Sequence, residues 1–449
     1  MVKPLHDRLA GLVTSGHDQK PKGIRLTEHP TIRWTEAGLE RSARWRAENG
    51  TAPHRRMVIA DEQMSADVAY RLACEGTALL WRGDFQNARQ MLLAMARRVD
   101  QKSRKARESR LAVKPPKSRI SASTLSDSAL LATNIMQAPP STNTPPTEAF
   151  HLHRLAQSQR ARTLGMLLLP LAGDYSVPLR RAPDLQRACA EAYGLPGSDA
   201  AAGDSLVSMR ELLGLIGAHE WRKKGVDVAA LNDRIHPHYG VFAPVRSEYV
   251  GLVADAPLPV SHSPGANKKS LPLAFDIGTG TGVLAAVLAQ RGIERIIATD
   301  MDPRALACAK DNMKRLKLAA QVQVVGADLF PEGRAPLIVC NPPWIPARPS
   351  SPIEAAIFDP DSRMLRGFIA GLAVHLQPGG EGWLILSDIA EHLGLRSRET
   401  LLTYFAAANL TVIERHDARP SHPRVADASD PLHAARAAEV TSLWRLGVR

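Results

Sequence analysis

LPLAFDIGTGTG, residues 271–282, is the stretch that decides the fold of this chain. Its first half, Leu271 to Ile277, has the continuous hydrophobicity of a strand that is buried on both faces of a parallel sheet. The three glycines that follow allow a tight turn and a close approach of the backbone to a ligand. The apolar segment Val283 to Gln290 then predicts a packed helix whose N-terminus faces the turn.

A second strand and an acidic residue follow this helix. Ile293 to Thr299 predicts the strand, and Asp300 comes directly after it, 18 residues beyond Gly282. This is the usual distance for an acid that binds ribose hydroxyls at the tip of the second strand. The glycine spacing is G-x-G-x-G, preceded by Asp276, whereas dinucleotide-binding dehydrogenases have G-x-G-x-x-G. The pattern therefore favours a nucleoside cofactor over a dinucleotide, and an ordinary strand-to-helix turn is the alternative.

A tetrapeptide that suits a nitrogen acceptor lies farther along the chain. Val322 to Gly326 and Pro336 to Cys340 predict a third and a fourth strand, and Asn341-Pro342-Pro343-Trp344 follows the fourth. Ligand sites of open α/β sheets lie at that edge. The Asn341 side-chain oxygen and the Pro342 carbonyl can both accept hydrogen bonds from an NH₂ group, while the prolines stiffen the loop. Trp344 offers an aromatic face to a planar amide or base.

These motifs together resemble those of class I S-adenosylmethionine-dependent methyltransferases. The glycine turn with Asp276 and Asp300 resembles motifs I and II, and the tetrapeptide resembles the [N/D]-P-P-[Y/F/W] signature of enzymes that methylate nitrogen of adenine, guanine or glutamine. The resemblance implies S-adenosylmethionine as the cofactor and a Rossmann-like α/β fold with a seven-stranded sheet whose last strand is antiparallel. It implies catalytic roles for Asn341, Pro342, Pro343 and Trp344, and cofactor contacts by Asp276, Gly278, Thr279, Gly280, Thr281, Gly282, Asp300, Met301, Asp328, Leu329 and Asn341.

The segment Pro244-Val245-Arg246-Ser247-Glu248 extends the resemblance to the HemK-like group, which methylates a glutamine of release factors. That group has a similar P-R-x-E-type segment, one residue shorter, before the methyltransferase fold. The resemblance implies a protein glutamine side chain as the most suitable acceptor, with guanine N2 or adenine N6 of RNA as the alternative. Arg246 or Glu248 either closes the site or forms an ion pair that fixes the domain junction. A catalytically idle scaffold would have lost Asp276, Asp300 or Asn341, and all three are present.

Composition narrows the class of protein. A length of 449 residues suggests two or three domains, and no apolar run reaches the 18 residues of a membrane span. Four scattered cysteines without C-x-x-C spacing argue against a zinc site or a disulfide framework, and we expect no metal. The N-terminus lacks the apolar core of a signal peptide, so we expect a cytoplasmic protein.

The net charge of +12 is concentrated before the methyltransferase motifs. Leu271 to Arg449 contains 19 Lys+Arg and 19 Asp+Glu, so the whole excess lies N-terminal to it. Ten of the basic residues fall between Arg97 and Arg119. A basic appendage on a neutral catalytic domain suggests an anionic partner such as RNA or the ribosome, and a solvated linker without a partner is the alternative.

Four regions are predicted along the chain. Residues 1–96 are expected to be mainly helical, with a helical hairpin across Ser65 to Ala96. Residues 97–147 are expected to be a disordered, basic, Pro/Ser/Thr-rich insertion, and residues 148–238 the helical remainder of an N-terminal domain. Residues 239–449 are expected to form the methyltransferase domain. Its long segment between Asp417 and Glu439, with His416, His422 and His433 nearby, suggests either surface residues or a general base.

Overall fold

The computed structural model describes residues 30–112, 145–197, 203–259, 271–350, 352–420, 427–428 and 430–449. In these residues the chain forms a six-stranded sheet, a two-stranded sheet and a seven-stranded sheet. The last of these carries both the glycine turn and the Asn-Pro-Pro-Trp tetrapeptide. No helix in the described part of the chain combines the length and the apolar character that crossing a membrane requires.

The N-terminal sheet contains the strands β1 (Thr31–Glu36), β2 (Leu39–Arg46), β3 (Arg56–Ala60), β4 (Thr77–Trp81), β5 (Leu167–Leu171) and β6 (Ser205–Ser208). Their spatial order is β1-β2-β6-β5-β4-β3, with β3, β4 and β5 parallel to one another. The accompanying helices are α1 (Ala66–Cys74), α2 (Phe85–Ala112), α3 (Pro146–Leu164), α4 (Gln186–Tyr193) and α5 (Met209–Lys224). A small hairpin of β7 (Val226–Val228) and β8 (Asp233–Ile235) follows.

This sheet corrects the prediction of a mainly helical N-terminal region. The first two strands form a hairpin whose two-residue turn, Ala37-Gly38, has φ of 51° and 76°, a backbone twist that suits neighbouring strands. The predicted helical hairpin across Ser65 to Ala96 is also wrong in its middle, because β4 separates α1 from α2. All five residues of β4 are buried, and such a short apolar run does not distinguish a buried strand from a helix by periodicity.

The prediction that residues 97–147 are a disordered insertion is wrong at the two ends of this range that the structure describes, because both are helical. Helix α2 continues through Arg97 to Ala112, a span without Pro or Gly and rich in residues of good helix propensity. Arg98 pairs with Asp67 of α1 at 2.7 Å, which ties this end of α2 to its neighbour. Helix α3 begins at Pro146, and residues 113–144 lie outside the described part of the chain.

The seven-stranded sheet has the topology that the resemblance implied. Its strands are β9 (Ala274–Ile277), β10 (Ile296–Asp300), β11 (Val322–Gly326), β12 (Ala335–Cys340), β13 (Leu376–Ser387), β14 (Leu410–Ala418) and β15 (Thr441–Val448). Their spatial order is β11-β10-β9-β12-β13-β15-β14, and the last strand, β15, is antiparallel to both of its neighbours. The Rossmann-like methyltransferase fold is therefore confirmed.

Helices cover both faces of this sheet. They are α6 (Glu248–Asp255), α7 (Val283–Gln290), α8 (Pro303–Arg315), α9 (Arg363–His375), α10 (Ile389–His392), α11 (Arg398–Ala407) and α12 (His433–Ala438). Every residue of α7 from Val283 to Ala289 is buried, as its uniformly apolar sequence predicts. Strands β9 and β12 are adjacent and parallel, with Ile277 opposite Cys340, so the glycine turn and the tetrapeptide emerge side by side at one sheet edge.

Candidate active site

A cavity of about 500 Å³ lies at the carboxyl ends of β9, β10 and β12. Both sequence motifs contribute to its wall, as does the segment before α6. The predicted site residues that line it are Gly278, Thr279, Gly280, Thr281, Asp300, Met301, Leu329, Asn341, Pro342, Pro343 and Trp344.

Asp276 was predicted to contact the cofactor, but it is buried beneath the glycine turn and does not line the cavity. Its side chain is buried, and its Oδ2 accepts hydrogen bonds from Thr279 Oγ1 at 2.6 Å and from the Ala285 amide at 3.1 Å. Burial raises the pKa of this carboxyl to about 6. Asp276 therefore links the strand, the glycine turn and the first turn of α7.

Gly282 and Asp328 also lie outside the cavity wall. Gly282 has a φ of 83°, a backbone conformation that favours glycine, and it packs against Ala309 and Met313 of α8. Asp328 forms an ion pair with Arg363, with 2.6 Å between Oδ2 and Nη2. Arg363 lines the cavity, so Asp328 reaches the site only through this exposed ion pair.

Asp300 faces the glycine turn across the cavity edge. Its Oδ2 accepts a hydrogen bond from the Gly280 amide at 3.0 Å, and its Oδ1 accepts one from the Asp302 amide at 2.9 Å. Burial raises the pKa of this carboxyl. No atom of the described chain lies within 4 Å of a Cβ built on Gly280, so open space lies over the turn. A carboxylate beside an open backbone turn and the apolar Leu329 fits the hydroxyls and the base of the nucleoside in S-adenosylmethionine.

The tetrapeptide has an internal hydrogen bond that the sequence does not reveal. Trp344 Nε1 donates to Asn341 Oδ1 at 2.9 Å, which fixes the plane of the carboxamide. The guanidinium of Arg246 lies 4.9 Å from the centre of the indole ring and covers one of its faces. The expected open face of Trp344 is therefore restricted to the side opposite Arg246.

Arg246 both lines the cavity and forms ion pairs, and its partners belong to the predicted methyltransferase domain rather than to the N-terminal region. The ion pairs are with Glu248 at 2.6 Å and with Glu439 at 3.0 Å. Ser387 Oγ donates to the same Glu439 oxygen at 2.6 Å. Desolvation lowers the pKa of Arg246, but the two carboxylates outweigh that effect and raise it. A fixed cation is thus held against the face of Trp344.

Three cavity residues from the long segment before β15 were missed. Pro420, Arg436 and Glu439 line the wall, and the length of that segment was the signal available in the sequence. The histidines singled out nearby do not supply the wall: His416 and His433 are absent from it, and His422 lies outside the described residues.

Comparison with known proteins agrees with this geometry. The family model of ribosomal protein L11 methyltransferase (PrmA) matches residues 266–344. The chain is 46% identical over 69 residues to a ribosomal protein L11 methyltransferase of Pelotomaculum thermopropionicum, covering 15% of this chain and 22% of that protein. It is 31% identical over 199 residues to a release factor glutamine methyltransferase of Mycolicibacterium smegmatis, covering 37% of this chain and 69% of that protein.

Other matches are shorter or more distant. The chain spans 22 to 61% of the length of four curated relatives that are named as L11 or glutamine methyltransferases. A methyltransferase of Thiobacillus denitrificans, solved with S-adenosyl-L-homocysteine, has 16% identity and a TM-score of 0.30 over 46% of this chain and 92% of that one. Because the Mycolicibacterium protein is matched over more than two thirds of its length, the chain belongs to the family of class I S-adenosylmethionine-dependent methyltransferases that includes release factor glutamine methyltransferase.

Proposed function

We propose that this methyltransferase transfers a methyl group to the side-chain amide nitrogen of a glutamine in a protein of the translation machinery. The observation that carries the proposal is the position of Asn341, which lines the same cavity as the glycine turn and Asp300. The names of the relatives, which refer to release factor glutamine and to ribosomal protein L11, support a protein acceptor.

The proposed mechanism depends on orientation of the acceptor. S-adenosylmethionine would supply a methyl group on a positively charged sulfur, and Asp300 would hold it by accepting hydrogen bonds from the ribose hydroxyls. Asn341 Oδ1 and the Pro342 carbonyl accept hydrogen bonds from the acceptor NH₂, which directs the nitrogen lone pair at the methyl carbon. Bound S-adenosylmethionine would lose its methyl group from sulfur as the nitrogen–carbon bond forms, leaving S-adenosylhomocysteine, and the nitrogen would release one proton to water. Correct placement of the two groups supplies most of the acceleration in such an in-line displacement.

The surroundings of Trp344 favour an amide over a nucleobase. Arg246 covers one face of the indole, so a large planar base has only the opposite face for stacking. Asn341 Oδ1 already accepts the indole N–H, which leaves this oxygen one lone pair for the acceptor. Asn341 and Pro342 provide one acceptor for each N–H of an NH₂ group, which fits an amide and a base amino group equally, so the preference for an amide depends on the covered indole face.

Methylation of an RNA base is the second candidate. The observation that favours it is the net charge of +12, all of which lies before Leu271. A basic N-terminal region would attract a polyanion through long-range electrostatics.

Transfer of a labelled methyl group distinguishes the two candidates. The purified protein would be incubated with methyl-labelled S-adenosylmethionine and, separately, with release factor, with ribosomal protein L11 and with ribosomal RNA. We expect label in a protein acceptor, located on a glutamine by mass spectrometry, and its loss in Asn341→Ala. Label on a lysine or an amino terminus would contradict the glutamine assignment, and label that only ribonuclease removes would support the RNA candidate.

A further inference from the structure

Helix α3 lies outside the predicted methyltransferase domain but contacts the segment that directly follows the tetrapeptide. We call residues 345–350 and 352–358 the acceptor segment. Ile345, Ala355, Ala356 and Ile357 of this segment line the cavity. We propose, on the basis of the glutamine-transfer function above, that Arg154 of α3 is a positioning residue that fixes the acceptor segment and thereby sets the affinity for the acceptor.

Arg154 contacts both limbs of the acceptor segment. Its Nη2 donates to the Arg348 carbonyl at 2.7 Å, on the limb that leaves Trp344. Its Nη1 pairs with Glu354 Oε2 at 3.0 Å, and its guanidinium lies 4.0 Å from the ring centre of Phe358, both on the returning limb. One side chain of the N-terminal region therefore holds together the two halves of the segment that borders the acceptor.

Glu354 extends this arrangement inside the segment. The same Oε2 accepts hydrogen bonds from the Ser350 amide and the Ser350 Oγ, both at 2.8 Å. Burial raises the pKa of this carboxyl, but the bonds from Ser350 and Arg154 outweigh it and lower the pKa. Glu354 is therefore a charged acceptor at the centre of the segment, and Arg154 is the cation that balances it.

The neighbouring residues of α3 hold Arg154 in place. Phe150, one helical turn earlier on the same face, is buried in an apolar cluster with Phe358, Ile389 and Leu393. Thr147 Oγ1 donates to the carbonyl of Leu393 at 3.0 Å. The contacts at positions 147, 150 and 154 form one stripe along about two helical turns. Helix α3 is therefore attached to the loops around Phe358 and Leu393, and Arg154 has little freedom to move away.

The test compares Arg154→Ala with a matched control on the same helix. Arg160→Ala removes a similar ion pair, with Asp100 at 2.9 Å, that lies away from the cavity wall. Hydrogen exchange of peptides from residues 345–358 and 276–282 would be measured in both variants, together with S-adenosylhomocysteine affinity and with KM and kcat for methylation of purified release factor. Arg154→Lys, which keeps the charge and loses the paired geometry, serves as the conservative variant.

In Arg154→Ala we expect faster exchange in residues 345–358 and unchanged exchange in residues 276–282. We expect KM for release factor to rise roughly tenfold, because two charge-assisted hydrogen bonds are lost, with kcat and S-adenosylhomocysteine affinity within about threefold of wild type. Arg154→Lys should raise KM less than Arg154→Ala does, and Arg160→Ala should have the KM of the wild type. Unchanged exchange in residues 345–358, or equal effects of the two alanine variants, would overturn the inference. Absence of label from both release factor and ribosomal protein L11 would count against the proposed function instead, and the exchange comparison would then decide the role of Arg154.

Discussion

Replacement of Trp344 by phenylalanine tests the most specific feature of the site. The variant keeps an aromatic ring beside Arg246 and removes the indole N–H that donates to Asn341 Oδ1 at 2.9 Å. The carboxamide of Asn341 then loses the bond that fixes its plane. S-adenosylmethionine binding should change little, because the glycine turn and Asp300 are untouched.

The expected effect follows from the single bond that is lost. A hydrogen bond between neutral groups contributes about 1 kcal/mol net, and we assign that amount to the orientation of Asn341 in the transition state. A loss of about 1 kcal/mol corresponds to about a fivefold decrease in kcat. The smaller ring also leaves part of a half-buried site unfilled, so the free energy of unfolding should fall by about 1 kcal/mol.

The assay is steady-state methyl transfer combined with a double-mutant cycle. We expect kcat of Trp344→Phe to fall about fivefold with S-adenosylhomocysteine affinity within twofold. In an Asn341→Ala background, Trp344→Phe should have no further effect on kcat, because the bond that it removes is already absent. Trp221→Phe is the control, since Trp221 is a partly exposed tryptophan of α5 that does not line the cavity. Unchanged kcat in the single variant, or independent effects of the two substitutions, would refute the assigned role of the indole N–H.

Three further predictions concern the motifs themselves. Asn341→Ala should lower kcat by about 10²-fold or more through lost acceptor orientation, with S-adenosylhomocysteine affinity within a few-fold by calorimetry; near-normal turnover would contradict the role of its side chain. Asp300→Ala should weaken S-adenosylhomocysteine binding about tenfold or more, since it also removes the acceptor of the Gly280 amide; unchanged affinity would contradict the ribose assignment. Asp276→Asn should change the pH dependence of stability, because burial raises the pKa of Asp276 to about 6 and its charged form is therefore disfavoured in the fold. As the pH rises from about 4 through about 6, the native protein binds more protons than the unfolded chain, so wild type should lose stability relative to the variant, by on the order of 3 kcal/mol; parallel curves of unfolding free energy against pH would refute this.

Part of the site could be predicted because it depends on short stretches of chain. Gly278 and Gly280 have φ of 71° and 55°, values that favour glycine, and a buried strand followed by such a turn leaves little choice of local structure. Strand-to-helix alternation then dictates a parallel sheet, and ligands bind at the carboxyl ends of its strands. Asp300 and Asn341 follow two such strands, and the structure brings both to one cavity.

Other assignments depended on features that a short stretch does not contain. Asp276 looked like a ligand residue because of its place in the motif, but it is buried beneath the turn with its hydrogen bonds used by Thr279 and Ala285. In the N-terminal region, the five buried residues of β4, four of them apolar, fit a helix as well as a strand. Only the pairing of β4 with β3 and β5 shows that it is a strand.

By itself, the sequence determined the class of methyltransferase fold, the cofactor and the edge of the sheet at which the cavity lies. These features follow from short stretches of sequence, because residues close together in the chain fix the backbone conformation of the turn, the burial of the strand and the start of the helix. Only the tertiary structure decided that Arg246 lies against Trp344 and pairs with Glu439, and that Arg154 pairs with Glu354. These ion pairs join residues 193 and 200 positions apart, and a chain with 57 basic and 45 acidic residues offers many alternative partners that only the fold excludes.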